Sequence, residues 1–234
     1  MNLTTRTLAA VLTALSMVPA WAAVIEADSA SQTINYNAVI SATDLINVGQ
    51  ASLASVSQVG NLLGGSLDGS HDGIGQNGSS VANTAFINDP ITLTYTLNTT
   101  VGTGGSATGY TITAVDVVVG WWSGSAFSQQ NWSVAVATVA NPTVFATQLA
   151  TVAYSPYSGG ADTYGYTHVR LTDSTGALAS GIGAVQFAFG GGLAVVSEID
   201  VTGLTTPVPE PAALTLLLAG LLGVGMRHRR PAKR

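Results

Sequence analysis

Apolar and polar residues alternate in short runs through the central part of the chain. In residues 91–97, Ile91, Leu93, Tyr95 and Leu97 alternate with threonines, so the four share one face of a half-buried strand. Clusters of Gly, Ser, Asn and Asp separate the runs and favour turns. The pattern predicts an all-β fold, an antiparallel β-sandwich or jelly roll. Similar runs cover residues 110–121, 132–139, 143–153, 166–172, 184–189 and 195–201.

The chain ends with three unlike segments in a fixed order. Val208-Pro209-Glu210-Pro211 comes first, and its prolines favour an extended, accessible backbone. The uncharged run 212–226 follows; as a helix it would be about 22 Å long, shorter than a hydrocarbon core of about 30 Å. A buried core helix is the alternative. If the run instead enters the membrane, the basic residues that remain on the cytoplasmic side are Arg227, Arg229 and Arg230.

This order resembles the PEP-CTERM signal of exported bacterial proteins, and it makes residues 207–234 a sorting segment. The resemblance implies an exosortase-type sorting enzyme as a partner and a transient stay in the inner membrane of a Gram-negative bacterium. It also implies a final position at the cell surface or in the extracellular matrix, with extracellular polysaccharide as an expected partner.

The beginning of the chain has the features of a secretory signal peptide. Arg6 is the only charge before the apolar run 8–19, and Ala20-Trp21-Ala22 offers small residues at the two positions that a signal peptidase reads. We therefore expect residues 1–22 to be removed after Ala22. Residues 23–206 remain, which is enough for one domain with a substantial core.

The charge of this body is unusual. Arg170 is its only Lys or Arg, against eleven carboxylates, which gives a formal charge of −10. Nucleic-acid binding is excluded as a function because phosphate contacts need cations. The acids favour solubility or supply oxygen ligands for divalent cations. The chain has no cysteine, so stability has to come from the apolar core and, in one interpretation, from calcium.

A glycine-rich segment, residues 59–80, is the first candidate for a calcium site. Asp68 and Asp72 lie in it among glycines, and such loops can turn carboxylate and backbone oxygens towards a calcium ion. The spacing of the two aspartates does not match an EF-hand loop, and a flexible linker is the alternative.

The body also resembles a discoidin-type, galactose-binding-like jelly roll over roughly residues 40–203. The resemblance rests on 119–121, 132–134, 166–173, 176–181 and 198–203. It implies a structural calcium ion held by Glu198 on the last strand and by Asp68. Strict alternation puts Glu198 and Asp200 on one face with Val196. Solvated acids at a sheet edge are the alternative.

Aromatic and polar residues could also form a carbohydrate-binding surface, because rings cover the apolar faces of sugars and polar groups orient the hydroxyls. Arg170 could instead simply pair with an acid, and Trp122 could pack in a turn. The residues predicted for this surface are Trp122, Tyr166, His168 and Arg170.

The sequence gives little support for an enzyme. It has no Gly-x-Ser-x-Gly elbow, zinc spacing, phosphate loop or dinucleotide fingerprint, and nothing in the spacing of the carboxylates singles out a catalytic pair. Two hypotheses remain: a non-catalytic surface or matrix protein associated with exopolysaccharide, and a calcium-supported, lectin-like carbohydrate-binding module.

Overall fold

The computed structural model describes residues 23–31, 40–74, 84–121, 127–156, 164–190 and 194–207. The predicted signal peptide, Val208-Pro209-Glu210-Pro211, the apolar run 212–226 and the basic residues after it lie outside this range. Eleven strands form within it, which confirms the all-β prediction. They are β1 (Val24–Ser31), β2 (Leu53–Val59), β3 (Gly64–Gly65), β4 (Ala85–Ile87), β5 (Ile91–Leu97), β6 (Tyr110–Trp121), β7 (Gln130–Thr138), β8 (Thr147–Tyr154), β9 (Gly165–Thr172), β10 (Ala179–Phe189) and β11 (Ala194–Thr205).

The strand pairings are antiparallel and follow two branches. The first sheet has the order β2-β5-β10-β7-β8, and the second has the order β1-β9-β6-β11-β4-β3. The beginning of β10 leaves the first sheet and pairs with β6, through Ala179 opposite Ile112 and Ile182 opposite Tyr110. The two sheets are therefore one antiparallel sheet that curls over its own core, as in a β-sandwich.

The core confirms the alternation predicted for residues 91–97. Ile91, Leu93, Tyr95 and Leu97 are all buried, and the threonines between them are half-buried. The ring of Phe187 on β10 lies 5.9 Å from that of Tyr95 and 5.9 Å from that of Trp132. These aromatic contacts join β5, β10 and β7 on the inner side of the first sheet.

A buried glutamine ties the two sheets together. Gln130 on β7 donates from Nε2 to the carbonyl oxygens of Val117 on β6, at 2.9 Å, and of Thr167 on β9, at 3.0 Å. Its Oε1 accepts a hydrogen bond from Trp132 Nε1 at 2.6 Å. The side chain of Gln130 is fully buried, so its polar atoms need these partners.

β11 departs from strict alternation. Its register with β6 shifts between Val196 and Glu198, and this bulge turns Val196 into the hydrophobic core together with Ile199 and Val201. The prediction that Val196 shares a face with Glu198 is therefore wrong, because one extra residue in a bulge reverses the alternation on one side of it. Glu198 and Asp200 still lie on the side of β11 away from the core.

Candidate functional site

Four carboxylates gather on that side of β11. Glu198 and Asp200 come from the strand, Asp44 from the segment 41–47, and Asp72 from the loop 68–74 that follows β3. Glu198 is 0% exposed, Asp200 2% and Asp44 4%, while Asp72 is half-buried. We call these four residues the acid cluster. The alternative of solvated acids at a sheet edge is wrong, because the side chains of Glu198 and Asp200 are buried.

Glu198 is the most deeply buried member. Both its carboxylate oxygens accept a hydrogen bond from the Gly73 N–H, each at 3.2 Å. Burial, and then the charge of Asp200, raise the pKa of Glu198 to about 10, although the Gly73 N–H lowers it; Asp72 and Asp44 raise it further. Without a compensating positive charge, Glu198 is therefore protonated at neutral pH.

Asp44 and Asp200 form a close pair. Asp44 Oδ1 accepts from the N–H groups of Ile46 at 2.9 Å and Val201 at 3.2 Å, and Asp200 Oδ2 accepts from the Ser41 N–H at 2.9 Å. The other oxygens, Asp44 Oδ2 and Asp200 Oδ1, are buried and have no hydrogen-bond donor. Burial raises the pKa of both groups, and for Asp200 the charge of Asp44 adds to the effect. Two such carboxylates need a shared proton or a cation.

The part of the chain that the structure describes has no Lys or Arg to spare for this cluster. Arg170, the only one between Arg6 and Arg227, points its Nη1 at Asp116, 3.1 Å from Oδ1 and 3.2 Å from Oδ2. The nearby imidazole of His71 is completely buried, and this burial lowers its pKa, so it favours the neutral form. Protons or an external cation therefore have to balance the cluster.

The loop beside Glu198 is closely fitted. Gly73 has φ +71°, and a Cβ at this position would lie 2.4 Å from Asn47 Nδ2 and 2.8 Å from the Cα of Ala42. Asn47 is 5% exposed, and its Nδ2 has no acceptor. A half-turn of this amide would bring Oδ1 to the same position, because amide nitrogen and oxygen occupy equivalent places. Asn47 thus places a buried amide beside the glycine that donates to Glu198.

The donor set fits a hard divalent cation such as calcium, which takes carboxylate, amide and backbone oxygens. Among the described residues no three His, Cys, Asp or Glu side chains already converge into a metal-binding set. A cation would therefore combine two of these carboxylates with main-chain or amide oxygens, and the donor-less oxygens Asp44 Oδ2 and Asp200 Oδ1 are suited to this.

The predicted calcium ligands are only partly brought together. Asp72 lies beside Glu198 and raises its pKa, whereas Asp68 is exposed, in the 3₁₀ turn Asp68–Ser70. Whether Asp68, Asp72 and Glu198 bind calcium stays a prediction. Sequence reasoning missed Asp44 as a candidate, because the irregular segment around it has no periodic pattern to indicate its direction.

Three of the residues predicted to bind carbohydrate, Tyr166, His168 and Arg170, lie on β9 of the second sheet. Tyr166 is half-buried, and its hydroxyl donates to Asp28 Oδ2 at 3.2 Å. His168 is 7% exposed, and Arg170 makes the ion pair that was the alternative for it. Trp122 lies outside the described residues. A carbohydrate-binding role for these four residues stays a prediction. Tyr166 and Arg170 are partly exposed, so their side chains have atoms that a ligand could reach.

A separate cavity of about 760 Å³ lies between the β7–β8 hairpin and the loop that follows β9. Val136, Leu149 and Leu178 contribute apolar surface to it, and Asp173 and Thr175 contribute polar atoms. Neither the acid cluster nor the described carbohydrate-binding candidates on β9 line this cavity.

Comparison with known proteins identifies the end of the chain. Residues 207–230 match the family model of the PEP-CTERM protein-sorting motif. This motif implies processing by an exosortase, and it marks an exported protein that passes through the membrane and is sorted to the cell surface. Within the part of the chain that the structure describes, no helix has the length and apolar character needed to cross a membrane.

The body is similar to solved structures at low sequence identity. A mutant of the lectin binding domain of lectinolysin, solved with Lewis b, superposes with a TM-score of 0.38 at 14% identity, over 69% of this chain and 96% of that one. CpGH89CBM32-6 produced by Clostridium perfringens gives a TM-score of 0.31 at 13% identity, over 76% of this chain and 94% of its own. No curated protein matches the sequence.

Proposed function

We propose that the chain is an exported, non-catalytic protein of the cell surface or extracellular matrix, associated with the exopolysaccharide of a Gram-negative bacterium. The observation that carries the proposal is the sorting motif at residues 207–230. It begins two residues after β11 ends at Thr205, so the β-sandwich is displayed immediately next to the sorting site. In this proposal His168 and Arg170 of β9 have a structural role, because both make ion pairs with carboxylates of neighbouring strands.

The test follows the protein in cells that produce polysaccharide, with and without the gene for the sorting enzyme. We expect the full chain to leave the inner membrane and to fractionate with the polysaccharide only when the enzyme is present. A variant with Pro209→Ala and Pro211→Ala should stay in the membrane in both strains. Equal release from both strains would contradict sorting, and release without recovery in the polysaccharide fraction would contradict matrix association.

A second candidate is a cation-supported module that binds carbohydrate, and the acid cluster is the observation that favours it. A divalent ion at the cluster would cancel two charges that the domain has no cation of its own to neutralise. It would also tie the segments 41–47 and 68–74 to β11, because the donors come from all three. Such an ion stabilises loops at the surface of a sandwich, and Tyr166, Arg170 and Trp122 would supply the carbohydrate contacts.

Two measurements on the full chain in detergent test this candidate. Calorimetric titration with calcium chloride should give saturable binding that Asp200→Asn weakens at least tenfold. The matched control is Asp89→Asn, which removes the same charge from an exposed position and should change nothing. A glycan array and pull-down with the host polysaccharide, with calcium or with chelator, test the second step. Failure to bind calcium would refute the proposed cation site. Failure to bind any glycan would refute the proposed carbohydrate-binding function.

A further inference from the structure

A histidine is held between two carboxylates at the edge of the second sheet. His168 on β9 places Nδ1 2.8 Å from Asp28 Oδ1 on β1 and Nε2 2.8 Å from Asp116 Oδ1 on β6. A neutral imidazole has only one N–H to donate. Asp116 also accepts from Arg170 and Asp28 also accepts from Tyr166, so both carboxyl groups act as hydrogen-bond acceptors. Both contacts are therefore satisfied together only when His168 is an imidazolium.

Strand β1 has little else to hold it. It is the edge strand of the second sheet and pairs with β9 from Val24 opposite Thr172 to Ser31 opposite Gly165. Its apolar side chains contribute little burial, since Val24 is 44% exposed and Ile25 48%. Main-chain pairing alone stabilises an edge strand weakly, so side-chain contacts from the sheet matter here.

Among the described residues, three side chains from other strands make hydrogen bonds to side chains of β1. They are Tyr154, whose hydroxyl donates to Ser29 Oγ at 3.2 Å, and Tyr166 and His168, which both contact Asp28. The His168 bond is the shortest of these and the only one in which both partners carry a charge. It also links β1 to β6, across the intervening β9.

We propose that His168 is a pH-dependent clasp that fastens β1 to the sandwich and loosens it as pH rises. The charged and titratable groups around it are Glu26 and Asp28 on β1, Asp116 on β6, and Tyr166 and Arg170 on β9; Asp200 of β11 lies opposite Asp116. When the imidazolium loses its proton, one of the two nitrogens becomes an acceptor facing a carboxylate. Asp28, on the more exposed side, is the partner that can move away, and β1 moves with it.

The direction of the pH effect follows from the same contacts. Burial by itself would lower the pKa of His168, but the hydrogen bonds to Asp116 and Asp28 and their charges outweigh it and raise the pKa. A histidine with a raised pKa stabilises the fold fully below its ordinary value of about 6.5 and loses that contribution as pH rises through the higher folded value. The clasp is thus closed below the ordinary histidine pKa and opens as pH rises through the higher folded value.

The experiment is hydrogen exchange with mass spectrometry on the full chain in detergent, from pH 5 to pH 9, corrected for intrinsic exchange rates. In the unaltered protein, protection of the β1 amides should fall about tenfold across the titration of His168, the equivalent of one lost charge-assisted hydrogen bond. Protection of the central strand β10 should stay constant. This comparison within one molecule does not depend on any variant folding.

Two variants of β1 separate the clasp from general charge effects. Asp28→Asn should give low, pH-independent protection of β1, whereas Glu26→Gln removes the same charge on the same strand and should keep the full pH response. His168→Gln should match Asp28→Asn. The clasp is overturned if β1 protection in the unaltered protein does not change with pH, or if Asp28→Asn and Glu26→Gln behave alike. The proposal stands apart from the function proposed above, because neither calcium nor carbohydrate takes part in the measurement.

Discussion

Replacement of Glu198 by glutamine tests the central electrostatic feature of the domain. The substitution keeps the shape of the side chain and leaves an oxygen to accept from the Gly73 N–H. It removes a carboxyl group that is 0% exposed and has only acidic residues as charged neighbours. We therefore expect Glu198→Gln to stabilise the cation-free protein, although it is a substitution at a fully buried site.

The size of the effect follows from proton linkage. The pKa of Glu198 is raised from 4.5 to about 10, so at pH 7 the unfolded chain is ionised there and the folded protein is protonated. Folding must then take up a proton, which at 1.36 kcal/mol per pKa unit costs about 3 kcal/mol at pH 7. The cost vanishes below pH 4.5 and grows as pH rises towards 10. Glutamine has no such cost, and for a domain of this size the gain corresponds to a rise in Tm on the order of 10 °C.

The assay is a thermal melt of the full chain in detergent, followed by near-ultraviolet circular dichroism, in chelator and in excess calcium. In chelator at pH 7, Glu198→Gln should melt above the unaltered protein, and at pH 4.5 the difference should disappear. In calcium, the unaltered protein should gain stability while Glu198→Gln gains much less, because a bound ion needs the ionised carboxylate. Asp89→Asn is the control for the change of charge. A variant that melts lower than the unaltered protein in chelator would refute the argument that Glu198 is buried without compensation.

Three further outcomes are expected. The cation-free protein should be less stable at pH 8 than at pH 5 in chemical denaturation, since burial raises the pKa values of Asp44 and Asp200 as well, and Asp200→Asn should flatten this dependence. Gly73→Ala should lower the free energy of unfolding, measured in urea, by about 1 to 2 kcal/mol more than Gly49→Ala does. Both glycines have positive φ, but only a Cβ at residue 73 would contact Asn47 and Ala42. Equal losses of stability would contradict the close fit of the loop. Gln130→Leu should lower stability by about 2 to 4 kcal/mol, since it strands two buried carbonyls and the Trp132 N–H, whereas Gln58→Leu on the exposed edge strand should not.

The sequence predicted those features that a local pattern encodes. The alternation in residues 91–97 indicated both the strand β5 and its buried face, because the side chains of a strand point in turn to opposite sides. The direction of Glu198 and Asp200 was predicted correctly, but the bulge between Val196 and Glu198 was not, since a bulge has no hydrophobic signature when both flanking faces are apolar. His168 was expected on an exposed face; it does lie on the outer face, but β1 and Asp116 enclose it. That enclosure depends on which strands become neighbours, and alternation within one strand carries no information about its neighbours.

The distribution of charge in the fold explains why the acid cluster needs something from outside the chain. The body has a single Arg, and the structure places it against Asp116, which also contacts the imidazole of His168. The two strongest positive groups of the domain are thus used on the β1–β9–β6 side of the second sheet. Glu198, Asp200 and Asp44 lie on the β11 side with backbone N–H groups as their donors. Backbone donors lower a carboxyl pKa, but they do not offset burial here, because all three pKa values stay raised. The stability of this side of the domain must therefore depend on the proton or cation activity of the medium, and an exported protein meets that medium directly.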